Sequence, residues 1–387
     1  MKGRVHAFDW LRIIAFGLLI LYHGYLPFHP YYTYHVSDPD KSYFLFSMLD
    51  WMQYWRLHLL FFISGFGTYF ALRKVSGSTF LKERSMRLGL PLLFGIWVIC
   101  PPQIWVERIT QYGNTKGFFT FYLQDYFTSG NYPQGNITWN HLWFLPYLLL
   151  MTLLLLPLFL YLRNSIWLKN KQFGQLSIFR STVFLSSGVI LPILASSLLW
   201  IWPIRTMGLF DDWGWFTIWS TFFFLGFIVA LLRNEVLPLL RRTRWVFLFL
   251  CVACFVVRFT NLLPEHEVSG QLLLRSLSWF AILALSGFAL VYLNQDSTLK
   301  RYLNTAIFPI YVLHQTIIIL VAYWMLDTGW SIGFKYIIII ISTLVGFVVM
   351  YEGFIKKIGS AGVLFGLKPK SYTHLSYSSF LTLFAYI

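Results

Sequence analysis

Three ionisable side chains stand in the first long apolar run of the chain: Asp9, Arg12 and His23. Charge is costly inside a bilayer-length apolar segment, so such positions are the first candidates for function. Arg12 and His23 are eleven residues apart. At about 100° per residue a helix returns nearly to the same direction, which puts both on one face about 16 Å apart. Asp9 precedes Arg12 by three residues, a spacing that permits a local ion pair. An imidazole can act as a base near neutral pH, and a guanidinium fork can hold an anion. A plainer reading stays open: Arg12 as an ordinary topology anchor, with His23 bonded to a neighbouring carbonyl.

A second set is Arg84 and Arg87, within Phe80-Leu81-Lys82-Glu83-Arg84-Ser85-Met86-Arg87-Leu88. RxxR spacing places both guanidiniums on the same side of a helix, an arrangement suited to bidentate phosphate binding. It also suits plain topology charges. Arg56, His58, His141 and His314 complete the ionisable candidates within apolar stretches. No metal-ligand spacing, GxSxG elbow, Walker loop or dinucleotide fingerprint is present. Cys100, Cys251 and Cys254 lie in apolar runs, where thiols read as packing residues.

The elements that must position these groups follow from composition. Of 387 residues 57% are hydrophobic, 20% aromatic and only 12% charged. Soluble chains carry roughly 25% charge, so an ordinary soluble enzyme is excluded. A helix needs about 20 apolar residues to span a bilayer. Ten stretches qualify, near 10–28, 48–72, 88–106, 141–162, 182–202, 214–232, 245–263, 274–293, 304–326 and 333–355. The first runs into bulky Tyr31, Tyr32 and Tyr34 with no small-residue cleavage site, so it is expected to remain as a span. Placing the N-terminus in the cytoplasm leaves 22 of the 30 lysines and arginines on inner segments. That asymmetry puts both termini in the cytoplasm and assigns the net charge of +15 to topology rather than to nucleic acid. The expected fold is an all-α polytopic bundle over residues 1–355, followed by a short cytoplasmic tail, 356–387.

With the spans in place, several segments resemble the acyltransferase-3 family of ten-span membrane O-acyltransferases. Phe8-Asp9-Trp10-Leu11-Arg12 followed by His23 is similar to that family's Arg-x10-His motif. Arg84-x-x-Arg87 is similar to its cytoplasmic RxxR motif. Phe61-Phe62-Ile63-Ser64-Gly65-Phe66, His141-Leu142-Trp143-Phe144-Leu145 and Tyr311-Val312-Leu313-His314 look like its recurring segments, in the same order. Trp55-Arg56 and Pro91-Leu92-Leu93-Phe94-Gly95 look closest to the glucan-biosynthesis succinyltransferase-like branch. The SGNH hydrolase-like domain that some members carry is not expected here.

The resemblance implies transfer of an acetyl or succinyl group from cytoplasmic acyl-CoA, a co-substrate rather than a bound cofactor. The acceptor it implies is a carbohydrate hydroxyl at the outer face, and the location a bacterial inner membrane. His23 is the expected base, with Arg12, Arg84 and Arg87 on the CoA phosphates. Asp9, Arg56, His58, His141, Trp143 and His314 are expected to support them. Outer aromatics suit a sugar ring, with Trp139 and Trp143 expected beside the entrance, although an interfacial aromatic belt would place them similarly. A transporter or flippase for a lipid-linked saccharide is the alternative; many transporter folds carry internal repeats, and none is visible here.

Overall fold

The computed structural model describes residues 4–165, 176–260 and 268–367. The apolar tail segment Phe380–Ile387 therefore lies outside the described residues. Fourteen α-helices follow one another, with no β-sheet among the described residues. They are α1 (His6–Tyr25), α2 (Tyr43–Leu49), α3 (Arg56–Leu72), α4 (Gly77–Phe94), α5 (Pro101–Tyr112), α6 (Phe118–Phe121) and α7 (Phe144–Asn164). After these come α8 (Ile178–Ser186), α9 (Ile190–Ser196), α10 (Trp213–Leu231), α11 (Arg233–Phe259), α12 (Val268–Tyr292), α13 (Thr298–Met325) and α14 (Ile332–Met350).

Serine side chains cap several helix starts. Ser76 Oγ accepts from the Thr79 amide at 3.2 Å, and Ser297 Oγ accepts from the Lys300 amide at 3.1 Å. Prolines set the bends. Cys100-Pro101-Pro102 interrupts the helix that α4 begins, after a π-turn at Gly95–Ile99. The Ile99 carbonyl freed there accepts from Gln103 Nε2 at 3.2 Å and Thr316 Oγ1 at 2.8 Å. A helix break thereby ties α5 to α13.

Among the described residues, eight helical stretches are long and apolar enough to cross a membrane. The other two of the ten expected spans are helical as well. One, α3, has only 17 residues, about 25 Å of rise. The other, α11, is divided by Arg241, Arg242 and Arg244, so its apolar part begins at Trp245. The chain is an all-α integral membrane protein with several spans.

Two antiparallel helix pairs pack closely. Along α3 and α10, Gly65 lies against the Phe223 carbonyl and Gly226 against the Phe62 carbonyl, so that a Cβ at either position would run into backbone. Small residues let helices approach to this distance where lipid supplies no hydrophobic drive. Gly65 and Gly226 serve this close packing. The second pair, α11 and α12, is joined by Phe247 against Phe280 and Trp245 against Phe288. Helix α1 packs against α3, α12, α13 and α14 together. That central position gives its polar stripe neighbours on several sides.

Candidate active site

His23 and His314 meet across the α1–α13 contact. His23 Nδ1 lies 2.9 Å from His314 Nε2, and the rings stack with centroids 5.0 Å apart. His314 is buried, while His23 is half-buried. The other nitrogen of His314, Nδ1, is 2.8 Å from the Tyr311 carbonyl, a group that only accepts. In a neutral imidazole one nitrogen donates and the other accepts. His314 Nδ1 therefore donates to Tyr311, and its Nε2 accepts from His23 Nδ1. These partners assign the remaining lone pair of the two-ring unit to His23 Nε2.

His141 stands edge-on to His314, with ring centroids 5.3 Å apart. Both its nitrogens are committed. Nε2 donates to the Val312 carbonyl at 3.0 Å, and Nδ1 accepts from Gln103 Nε2 at 3.3 Å. The Tyr311 hydroxyl adds a 2.8 Å bond to the His141 carbonyl. His141 thus anchors the α7 entrance to α13 and has no free lone pair to take a proton. Beyond it the network continues through Gln103 Oε1, which accepts from Asn140 Nδ2 at 2.6 Å and Gln315 Nε2 at 3.3 Å. Asn140 Oδ1 accepts from His35 Nε2 at 3.1 Å, and His35 Nδ1 bonds the buried Glu107 carboxylate.

Arg56 and His58 point away from each other on α3. Arg56 donates to the Leu18 carbonyl at 3.4 Å and lies 4.4 Å over the Tyr22 ring, beside His23. His58 turns instead to α12, where its Nε2 accepts from Arg275 Nη1 at 3.2 Å. The lone pair of His58 is therefore occupied.

At the opposite end of α1 a cavity of about 1080 Å³ opens, lined by Arg12 and Arg87 together with Arg73, Lys74, Arg233 and Lys356. Arg12 Nη2 donates to Asn304 Oδ1, while its Nε is buried without a partner. Asp9 also lines this cavity but departs from the expected pairing. Its carboxylate takes Arg4 at 2.8 Å and Lys300 at 3.9 Å, not Arg12. The cause is partly local, Arg4 lying five residues before Asp9, and partly tertiary, as α13 brings Lys300 alongside Asp9 and Asn304 alongside Arg12. Arg84 departs too. It does not line the cavity with Arg87 but donates from Nε to Thr152 Oγ1 at 3.0 Å, on α7.

Sequence comparison places the chain in a family. A family model described as an acyltransferase domain, acyltransferase-3, matches residues 5–352. The chain belongs to that family. Curated relatives include "Glucans biosynthesis protein C" of Shigella dysenteriae serotype 1 (strain Sd197), 26% identical over 229 residues, 57% of this chain and 54% of that one. The protein of the same name from Escherichia coli (strain K12) is 25% identical over the same shares. These relatives accord with the glucan-biosynthesis branch expected from Trp55-Arg56 and Pro91–Gly95. The chain spans about half the length of the curated relatives it matches. No solved structure matches it.

In this acyltransferase-3 chain the aromatics of the His23 end divide. Tyr31 and Tyr32 are exposed, whereas Trp143, only 9% exposed, packs against Trp219 at 4.8 Å and Tyr147 at 5.0 Å. Trp143 is a core residue rather than part of an entrance. Trp139 instead donates from Nε1 to the Met207 carbonyl at 3.0 Å, holding the 201–212 loop. Sequence reasoning passed over Asn304, Gln103 and Arg275. An arginine inside an apolar stretch was a readable signal for Arg275; nothing local distinguishes Asn304 or Gln103.

Proposed function

We propose that the protein is an acyl-CoA-dependent O-acyltransferase of a bacterial inner membrane, acting on a carbohydrate hydroxyl. The observation that carries this reading is the pairing on one helix of His23 Nε2, left with its lone pair by His314, and Arg12 in a basic cavity. Arg12 and Arg87 hold the phosphates of the donor at the cytoplasmic end, and the acyl-pantetheine arm follows α1 toward His23.

There the His23 Nε2 lone pair removes the acceptor hydroxyl's proton as its oxygen attacks the thioester carbonyl. The new C–O bond forms, the C–S bond breaks, and the departing thiolate takes the proton back from His23. Products are an ester and free CoA, with the base regenerated. No serine or cysteine intermediate is needed. The names of the curated relatives favour a glucan as the acceptor, and the positive-inside distribution favours its approach from the outer face.

The test is turnover by purified protein with acetyl-CoA or succinyl-CoA and a glucan, read by mass spectrometry of the glycan. An ester product that disappears in His23→Ala, with protein still folded and inserted, is the expected result. Equal turnover in that variant sinks the mechanism. Acylation of an added impermeant sugar by sealed inverted vesicles would place the acceptor on the cytoplasmic side instead.

A further inference from the structure

Across α3 from the histidine pair lies a second group of cations that the acyl-transfer reading does not use. Arg275 is 2% exposed and His58 is 4% exposed. Arg275 donates to His58 at 3.2 Å and to Gln271 Oε1 at 2.9 Å, and its guanidinium stands 5.0 Å from the centre of the Trp215 indole. Arg205, exposed on the 201–212 loop, stands 5.4 Å from the same ring. The indole is itself held by a 3.4 Å bond from Nε1 to the Pro203 carbonyl.

Two guanidiniums thus share one indole, and no carboxylate contacts either of them among the described residues. The acids of the same loop are engaged elsewhere. Asp212 takes the Tyr147 hydroxyl and the Met207 amide, and Asp211 takes the Thr206 hydroxyl. Buried charge ordinarily finds a partner. Here Arg275 Nε is buried with no hydrogen-bond partner, while His58 Nδ1 faces the Tyr54 carbonyl one turn back along the chain. Lysine and arginine are also kept off the outer side of membrane proteins unless something holds them there.

We propose that Arg205 and Arg275, beside Trp215 and with His58 bracing Arg275, form a binding site for a phosphate monoester at the His23 end of the bundle. A phosphate monoester carries about −1.5 to −2 charge near neutral pH, which matches two guanidiniums better than a single carboxylate does. Its oxygens can accept from Arg205 and from Arg275 Nε, while His58 braces the Arg275 guanidinium. The group is carried either by a phosphorylated sugar or by a lipid headgroup. The site is distinct from the basic cavity at the Arg12 end, and it does not depend on which acyl donor the protein uses.

The experiment is equilibrium binding of glucose 6-phosphate to the full chain in phosphatidylcholine nanodiscs, with Arg87→Gln present throughout to weaken the cavity at the other end. Saturable binding that glucose does not reproduce, weakened at least tenfold by Arg205→Gln, supports the site. Arg275→Gln should weaken it similarly, and Arg275→Lys should restore part of it in a variant that keeps the buried charge. Competition when phosphatidic acid is added to the nanodiscs assigns the group to a lipid headgroup; its absence assigns the group to a sugar. Absence of saturable binding, or equal binding after Arg205→Gln and Arg275→Gln, overturns the proposal.

Discussion

His314 Nε2 accepts a 2.9 Å hydrogen bond from His23 Nδ1 because the Tyr311 carbonyl claims the proton on His314 Nδ1. One backbone oxygen, three residues back on α13, therefore decides which nitrogen of His23 can act as a base. Replacing His314 should expose this dependence. His314→Ala is expected to lower kcat by about 10²-fold, within the range of general-base effects, with KM for acyl-CoA little changed. His314→Gln offers a carbonyl oxygen to His23 Nδ1 and should retain more activity than His314→Ala. Equal losses in the two variants would show that His314 only fills space.

The two arginines of the RxxR motif should separate in kinetics. Arg87 lines the basic cavity, whereas Arg84 bonds Thr152 on α7. A charge-assisted hydrogen bond is worth about 1.5–3 kcal/mol. Arg87→Ala is thus expected to raise KM for acyl-CoA by roughly 10- to 150-fold. Arg84→Ala should change KM less and lower thermal stability more. Steady-state kinetics at varied acyl-CoA, beside a melting curve for each variant, decides between these outcomes.

Gly226→Ala places a methyl group against the Phe62 carbonyl at the α3–α10 crossing. Backbone cannot swing aside as a flexible side chain can. Overpacking of this kind costs about 1–3 kcal/mol, and the loss should appear as a lower melting temperature in detergent. Gly67→Ala on the same helix α3 meets open space and should leave the melting temperature nearly unchanged.

Lys335 and Asp38 form a 2.7 Å ion pair with side chains 4% and 3% exposed, fastening the 29–42 loop to α14. Removing one partner leaves a buried charge uncompensated, at about 3–5 kcal/mol. Asp38→Asn should therefore destabilise the protein strongly. The double variant Asp38→Asn with Lys335→Met should recover part of that loss. A double variant less stable than Asp38→Asn alone would mean that the pair contributes more than charge compensation.

Trp143→Ala opens a hole among Phe61, Tyr147 and Trp219. Truncating a buried tryptophan costs about 3–5 kcal/mol. Donor and acceptor use should fall together with the amount of folded protein. A selective loss of acceptor use at unchanged stability would restore Trp143 to the entrance.

By itself the sequence determined that the chain is an α-helical membrane protein, because half the ordinary charge and repeated apolar stretches admit little else. It also determined the Arg12–His23 stripe, because both positions lie on one helix and helical periodicity is local. Tertiary structure decided most partners of that stripe. Besides its local pairing with Arg4, Asp9 met Lys300, Arg12 met Asn304 and His23 met His314, since α13 approaches α1 from nearly 300 residues away along the chain. Likewise RxxR spacing put Arg84 and Arg87 on related faces of α4, but only the packing of α7 gave Arg84 a hydroxyl and left Arg87 facing the cavity. Helical period fixes the direction in which a side chain leaves its own helix; the groups it meets are set by which helices pack there.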